Sequence, residues 1–170
     1  MRNSRHAGFT LIEILIVMLI ISIVGGVAML SISFNQNTHY KNLARQISTL
    51  LTLGEEQALL QANVYGLAFT NKTYQFYQFD SENKKAPWHP VTEGPLGPHN
   101  IPAGIQITVK VHDKIIALDK KAETIKPQLI LSTDGEIIPF TILIGKIDSP
   151  PHYQVIGYAN GSLESVAIAD

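Results

Sequence analysis

The stretch AGFTLIEILIVMLI, residues 7–20, decides the fold because it opens a long apolar segment near the N-terminus. Seventeen uncharged residues, Ile14 to Leu30, follow Glu13 without interruption. A helix from Phe9 to Leu30 would be about 33 Å long at ~1.5 Å per residue, enough to cross the ~30 Å hydrocarbon core of a bilayer. A carboxylate at the centre of such a helix costs roughly 2.5–3.5 kcal/mol, so the position of Glu13 requires a reason.

The flanks of this segment predict how it is oriented. Arg2 and Arg5 precede it with no acidic residue between them, and basic flanks tend to stay in the cytoplasm. The stretch that follows, SISFNQNTHY at residues 31–40, offers no small-residue signal for cleavage after the apolar run. We therefore predict an anchor that is retained, with a cytoplasmic N-terminus and an exported C-terminal part.

The composition excludes several classes of function. The chain has 170 residues, enough for an anchor and one domain, and its net charge of −1 creates no overall field that attracts nucleic acid. It has no cysteine, which excludes disulfide frameworks and thiolate metal sites.

The residues around the start of the apolar run carry a more specific signal. A short basic leader ends at Gly8, and Phe9, Thr10, Leu11, Ile12 and Glu13 follow it directly. This pattern resembles the processing signature of type IV pilins and type II secretion pseudopilins. The resemblance implies that a prepilin peptidase cleaves between Gly8 and Phe9 and methylates the new N-terminus at Phe9.

The same resemblance implies a role in assembly for Glu13. Cleavage exposes a cationic amine at Phe9, and the carboxylate of one subunit would pair with the amine of its neighbour when helices stack. Two opposite charges then neutralise each other where water is scarce. The alternative is that Glu13 reaches the lipid headgroups as a tolerated interfacial acid. The implied partners are other pseudopilins, the prepilin peptidase and an inner-membrane assembly platform.

Helical periodicity continues beyond the apolar run. A stripe of apolar and small residues recurs at spacings of three and four, which predicts one helix from about Phe9 to Gln61 that ends near Asn63. Its members are Tyr40, Leu43, Ala44, Ile47, Leu50, Leu51, Gly54 and Ala58. The predicted organisation is a cleaved leader at residues 1–8, a transmembrane helix half at 9–31, an amphipathic helix half at 32–62 and a β-rich globular domain at 63–170.

The pattern of the globular part is that of β-strands. We predict a hairpin around Asn71-Lys72, a strand at IQITVKV, a second hairpin around Asp134-Gly135 and a third around Asn160-Gly161. A polar loop rich in proline and glycine occupies residues 80–100, and DKIIALDKKAETIKP is predicted as a strand end followed by a loop. The predicted fold class is α+β, with a long N-terminal helix packed on antiparallel sheet.

The globular part narrows the resemblance to the H-type minor pseudopilins. It rests on LLQANVYGLAF, PWHPV, STDGEIIPFTI and YQVIGYANGSL, motifs that are less specific than the leader. The resemblance implies a structural subunit of the pseudopilus that promotes export of folded proteins, anchored in the inner membrane with a periplasmic C-terminal domain. Two alternatives remain, a minor type IV pilin that primes a surface fibre or takes part in DNA uptake, and a membrane-tethered enzyme or ligand-binding module.

No motif in the globular part indicates a catalytic site, a metal site or a nucleic-acid-binding site. The six histidines lack metal-ligand spacing, no nucleophile or phosphate-binding motif occurs, and the lysine pairs are not interleaved with aromatic residues. Asp80, Glu82 and Glu93 could bind calcium, but solvated loop charge is the favoured interpretation. Trp88 is interpreted as a plug that holds its loop on the core. We therefore predict no enzymatic activity, no cofactor, no metal and no nucleic-acid partner.

Overall fold

A computed structural model of the protein describes residues 11–118 and 126–168, and for residues 27–36 it describes only the course of the helix. The predicted leader, residues 1–8, lies outside the described part. The chain divides into two compact units, Met1–Thr38 and His39–Asp170.

A single helix, α1, spans Leu11–Gln61 and confirms the predicted long N-terminal helix. It continues through Gly25 and Gly26 without a break. Ala62, directly after the last helical residue, takes a left-handed conformation with φ of 49°, and the N–H of Asn63 donates to the carbonyl of Ala58. The left-handed residue at this helix end is therefore an alanine, one position before the predicted asparagine.

All named strand pairs in the described residues are antiparallel, which confirms the α+β prediction. The strands are β1 Tyr65–Phe69, β2 Thr73–Phe79, β3 Trp88–Pro90, β4 His99–Asn100, β5 Ile105–Val111, β6 Lys114–Ile116, β7 Leu129–Leu131, β8 Phe140–Lys146, β9 Pro151–Gly157 and β10 Leu163–Ala167. They form two sheets in the second unit, with strand orders β3-β2-β1-β7 and β10-β9-β8-β5-β6, and β4 pairs with β2.

The predicted hairpins around Asn71-Lys72 and Asn160-Gly161 are present, and the prediction of a hairpin around Asp134-Gly135 is wrong. β1 pairs with β2, and β9 pairs with β10. β7 instead joins the first sheet beside β1, while β8 joins the second sheet between β5 and β9. The chain crosses from one sheet to the other between these strands, and only an isolated bridge joins Leu131 to Ile137.

The loop at residues 80–100 also differs from the prediction. It contributes the short strands β3 and β4, and both pair with β2. Strands of two or three residues are too short to carry a periodic signal, so the sequence showed only the proline and glycine around them. The segment after β5 begins with a strand as predicted, because β6 forms a hairpin with β5. The loop predicted to follow runs through residues 119–125, which lie outside the described residues.

The helix stripe confirms the predicted core face. Every one of its eight members is buried, from Tyr40 to Ala58. Gly54 allows α1 to approach the first sheet closely, since a Cβ there would lie 2.7 Å from Leu131 and 2.8 Å from Phe76. Apolar residues of β5, β8 and β9 belong to the same cluster, among them Val109, Ile142 and Val155. One shared core therefore joins the second half of α1 to both sheets.

Candidate functional site

The first unit presents an apolar helix surface with no covering from the described residues. All residues from Leu11 to Gly26 are exposed. The exposed fraction of the large apolar side chains there ranges from 45% at Val17 to 82% at Leu11. A helix that is apolar on every face requires an apolar environment or neighbouring helices to cover it.

Glu13 is the one charged residue of this exposed segment, residues 11–26. It lies in the first turn of α1, where the partial positive charge of the helix N-terminus favours a carboxylate. Within residues 11–118 and 126–168, Glu13 makes no hydrogen bond or ion pair. Gly8 and Phe9 lie outside the described residues, so the cleavage position and the pairing of Glu13 with the Phe9 amine stay predictions.

Among the described residues, no helix has both the length and the apolar character that crossing a membrane requires. The predicted span at 9–31 begins outside the described residues and stays a prediction.

The polar and small residues inside the apolar segment need no outside partner. The hydroxyl of Ser22 donates to the carbonyl of Met18 at 2.8 Å, which satisfies the donor within the helix. A Cβ added at Gly25 or Gly26 would meet no atom within 4 Å. This leaves Glu13 as the residue of the segment whose polar group is unsatisfied among the described residues.

The loop acids are dispersed rather than gathered. The carboxylate of Asp80 accepts a hydrogen bond from the Glu82 N–H at 2.9 Å, and its other oxygen lies 3.4 Å from Nε2 of His89. Glu82 and Glu93 are both exposed. In the described part of the chain, no three His, Asp or Glu side chains lie close enough to hold a metal ion.

Trp88 packs on its own sheet. Its ring meets the ring of Phe79 edge to face with centroids 5.1 Å apart. The same ring lies 3.0 Å from the point where a Cβ on Gly66 would stand, beside Pro127. These contacts agree with the interpretation of Trp88 as a plug that fastens the proline-rich loop to the first sheet.

Two histidines that the sequence showed only as scattered residues have packing roles. His152 of β9 stacks on Tyr40 of α1 with ring centroids 5.2 Å apart and planes 8° apart. His99 stacks on Tyr74 at 5.1 Å, and its Nε2 lies 2.8 Å from the carbonyl oxygen of Pro95. No sequence signal pointed to either contact, because each joins residues that are far apart along the chain.

Asp134 forms a turn, as the sequence indicated. Its carboxylate accepts hydrogen bonds from the Ser132 hydroxyl at 2.7 Å and from the Glu136 N–H at 3.1 Å. These two bonds hold the pKa of the Asp134 carboxyl below its usual value. Gly135 follows with φ of 77°, so the group stabilises a turn.

Known proteins share the N-terminal motif of this chain and much of its length. Residues 3–29 match the family model described as the prokaryotic N-terminal methylation motif. The chain is 31% identical over 154 residues to type II secretion system protein H of Pseudomonas aeruginosa, covering 86% of each protein. It is 23% identical over 163 residues to the protein of the same name from Aeromonas hydrophila, covering 90% of this chain and 88% of that protein.

Solved structures show the same fold. The minor pseudopilin EpsH of Vibrio cholerae superposes with a TM-score of 0.67 at 20% identity, covering 79% of this chain and 97% of that one. The solution structure of Escherichia coli GspH gives a TM-score of 0.60 at 17% identity, covering 77% of this chain and 89% of that one. From the identity and coverage of the Pseudomonas relative, this chain belongs to the type II secretion system protein H family.

Proposed function

We propose that this protein is a structural minor pseudopilin of a type II secretion system, a subunit of the periplasmic pseudopilus that promotes export of folded proteins. The observation that carries the proposal is the apolar surface of α1 from Leu11 to Gly26, exposed on all faces and charged only at Glu13. A surface of this kind suits lateral packing with similar helices. The second unit supports a structural role, because its described interior is an apolar core that buries no charged residue.

Maturation begins with removal of the leader. Prepilin peptidase cleaves between Gly8 and Phe9 and methylates the amine of Phe9. Support comes from the methylation motif, whose match covers residues 3–29 and so includes most of the leader, both processing residues and Glu13. The apolar helix survives this cleavage because it lies entirely after the cut.

Glu13 sets the register of insertion into the fibre. Its carboxylate pairs with the methylated amine of Phe9 on a neighbouring subunit. The support is that Glu13 has no partner among the described residues of its own chain, while the other polar side chain of the segment 11–26, Ser22, is satisfied within the helix. An unpaired carboxylate in apolar surroundings is costly, so a cationic neighbour stabilises the assembled state.

The protein works from the inner membrane, with its N-terminus in the cytoplasm and its C-terminal domain in the periplasm. Its partners are other pseudopilins along the helix, the prepilin peptidase and the assembly platform. The basic residues Arg2 and Arg5 before the apolar segment support this orientation. Its role is structural and non-catalytic.

Deletion of the gene tests this function. Loss of the chain should stop secretion of a folded type II substrate, which would accumulate in the periplasm, and a plasmid copy should restore secretion. Twitching motility and DNA uptake should be unchanged. Normal secretion together with loss of surface pili would contradict the proposal and favour a minor type IV pilin instead.

A further inference from the structure

β5 is paired unequally along its two edges. β8 pairs with all seven residues of β5, from Ile105 to Val111. β6 pairs with the other edge only from Val109 to Val111 and then departs. Among the described residues, no strand pairs with that edge of β5 from Ile105 to Thr108.

The backbone groups at this edge point outwards at the odd-numbered residues. Two hydrogen bonds at the ends of β5 show which residues face β8. The carbonyl of Gly104 accepts from the N–H of Ile147, and the N–H of His112 donates to the carbonyl of Pro139, so the even-numbered residues direct their backbone groups towards β8. Successive residues of a strand direct their N–H and C=O to opposite edges. Ile105 and Ile107 therefore face away from β8. The N–H of Ile105 donates to Pro102 at 3.2 Å, which leaves the N–H and C=O of Ile107 and the C=O of Ile105 at the open edge.

A cleft lies along this open edge. Its volume is about 440 Å³, and its lining combines apolar residues such as Ile116 and Leu118 with the polar residues Asn71, Gln106 and Thr108. The cleft is therefore a partly apolar groove beside unpaired backbone groups. Apolar side chains fit its walls, and a β-strand would satisfy its backbone donors and acceptors.

One end of the cleft carries a single charge. Asp148 is the one charged residue among the lining residues. Its backbone N–H donates to Oε1 of Gln106 at 3.3 Å, and its carboxylate forms no ion pair within the described residues. This end of the cleft therefore favours a cation.

We propose that the open edge of β5 accepts an added β-strand from another protein, with alternating apolar side chains in the cleft and a lysine or arginine beside Asp148. The added strand bonds to the backbone of Ile107 and extends the second sheet by one strand where β6 leaves it. This interaction uses the second unit alone, so it is independent of the helix-to-helix packing of the proposed function.

A synthetic peptide tests the proposal on the full chain in detergent micelles. The probe is a labelled peptide that alternates valine and threonine and ends in lysine, with binding followed by fluorescence anisotropy. Saturable binding is expected. N-methylation of every second amide should weaken binding about tenfold when it blocks the edge facing β5, and much less when it blocks the opposite edge. Equal losses from both N-methylated peptides, or no binding, would overturn the proposal.

A reversible closure of the edge provides a second test. Thr108→Cys with Ala117→Cys continues the register of the Val109–Ile116 pair, and the chain has no other cysteine. The oxidised protein should bind the peptide about tenfold more weakly, and reduction should restore binding. Asp148→Lys should reverse the preference from a lysine-ended to a glutamate-ended peptide. Unchanged binding in the oxidised protein would place the peptide elsewhere and refute the proposal.

Amide hydrogen exchange separates the possible occupants. Ile107 should exchange quickly in the free protein and slowly with the peptide bound. Slow exchange at Ile107 without peptide would mean that the chain covers its own edge. Slow exchange only at protein concentrations where the chain self-associates would identify a second copy as the occupant. Either result would overturn the assignment to another protein.

Discussion

A Cβ placed on Gly54 of α1 would lie 2.8 Å from the ring of Phe76 in β2, closer than packed atoms tolerate. The backbone of the helix therefore rests directly on the first sheet. Because the core face of α1 from Tyr40 to Ala58 is buried by the same unit, the second unit contains the whole of its own core.

We expect residues 36–170 to fold without the N-terminal segment. The fragment keeps every buried member of the core cluster, and it loses the exposed apolar residues 11–26. Cooperative thermal unfolding and a monomeric sedimentation profile are the measurements. The melting temperature should not change with calcium, because the loop acids Asp80, Glu82 and Glu93 are interpreted as solvated. A rise of several degrees with calcium would contradict that interpretation.

Gly54→Ala in this fragment should lower the free energy of unfolding by about 1–2 kcal/mol. Overpacking against Leu131 and Phe76 costs about 1–3 kcal/mol, while the gain in helix propensity offsets at most about 1 kcal/mol. Thr49→Ala, at an exposed position of the same helix, is the matched control and should leave stability unchanged or slightly higher. Urea unfolding measures both variants. A stabilised Gly54→Ala variant would mean that the helix and sheet are less closely packed.

Tyr74→Phe should raise stability by about 1 kcal/mol, because the Tyr74 hydroxyl is buried with no hydrogen-bond partner among the described residues. Tyr65→Phe is the control and should lower stability, since the Tyr65 hydroxyl donates to Gln61 at 2.7 Å. Burial raises the pKa of Tyr74 to about 12 from 10.0. The unfolded chain therefore ionises Tyr74 first, and stability falls as the pH rises from 10 towards 12. That fall should be smaller in Tyr74→Phe.

Gly8→Val should leave the leader attached when the protein is produced with its cognate peptidase. A branched side chain then replaces the single hydrogen that the cleavage position requires. Intact-mass measurement should show wild type beginning at Phe9 with one added methyl group. The variant should have the mass of wild type made without the peptidase plus the C3H6 by which a valine exceeds a glycine. A variant that is cleaved and methylated normally would contradict the proposed processing at Gly8 and Phe9.

Glu13→Ala should be inserted and cleaved normally but should fail to enter the fibre. Removal of one member of a buried charged pair typically costs ~3–5 kcal/mol, because the partner charge is left unpaired. Glu13→Asp should be intermediate, since its carboxylate is one methylene shorter, and Glu13→Gln should keep the shape without the charge. Crosslinking to neighbouring pseudopilins and secretion of a reporter substrate are the measurements.

Ser22→Ala is the matched control for the Glu13 variants. The Ser22 hydroxyl is satisfied by Met18 within α1, so this variant should assemble and secrete normally. If Glu13→Ala also secretes like wild type, the carboxylate is a tolerated interfacial acid and does not pair with the Phe9 amine.

Local patterns predicted the parts of the fold that depend on neighbouring residues. The stripe from Tyr40 to Ala58 follows helical periodicity, and the Asn160-Gly161 turn joins β9 to β10 as its residues indicate. The alternation of Leu129 and Leu131 is the same whichever sheet contains them. Their pairing with β1 is decided by distant residues, so the predicted hairpin with β8 was wrong.

The Glu13 segment of α1 and the cleft at β5 also differ in whether neighbouring residues predict them. Glu13 was identified from a short motif, because its neighbours in sequence are also its neighbours in α1. The cleft at β5 could not be predicted, because it depends on β6 leaving the sheet after Ile116 and on Ile147 approaching from another strand connection. No local pattern marks the residue at which a strand stops pairing.

The crossing of the chain between β7 and β8 constrains the order in which the domain can form. In the topology proposed above, the domain reaches the periplasm from its N-terminal side, so α1, β1 and β2 are available early. The first sheet is complete only when β7, Leu129–Leu131, has paired with β1. The second sheet is complete only when β8 has paired along the whole of β5. Closing such long loops slows folding. We therefore expect the core face of α1 to remain uncovered until most of the chain has crossed the membrane, and a periplasmic chaperone to be needed at that stage.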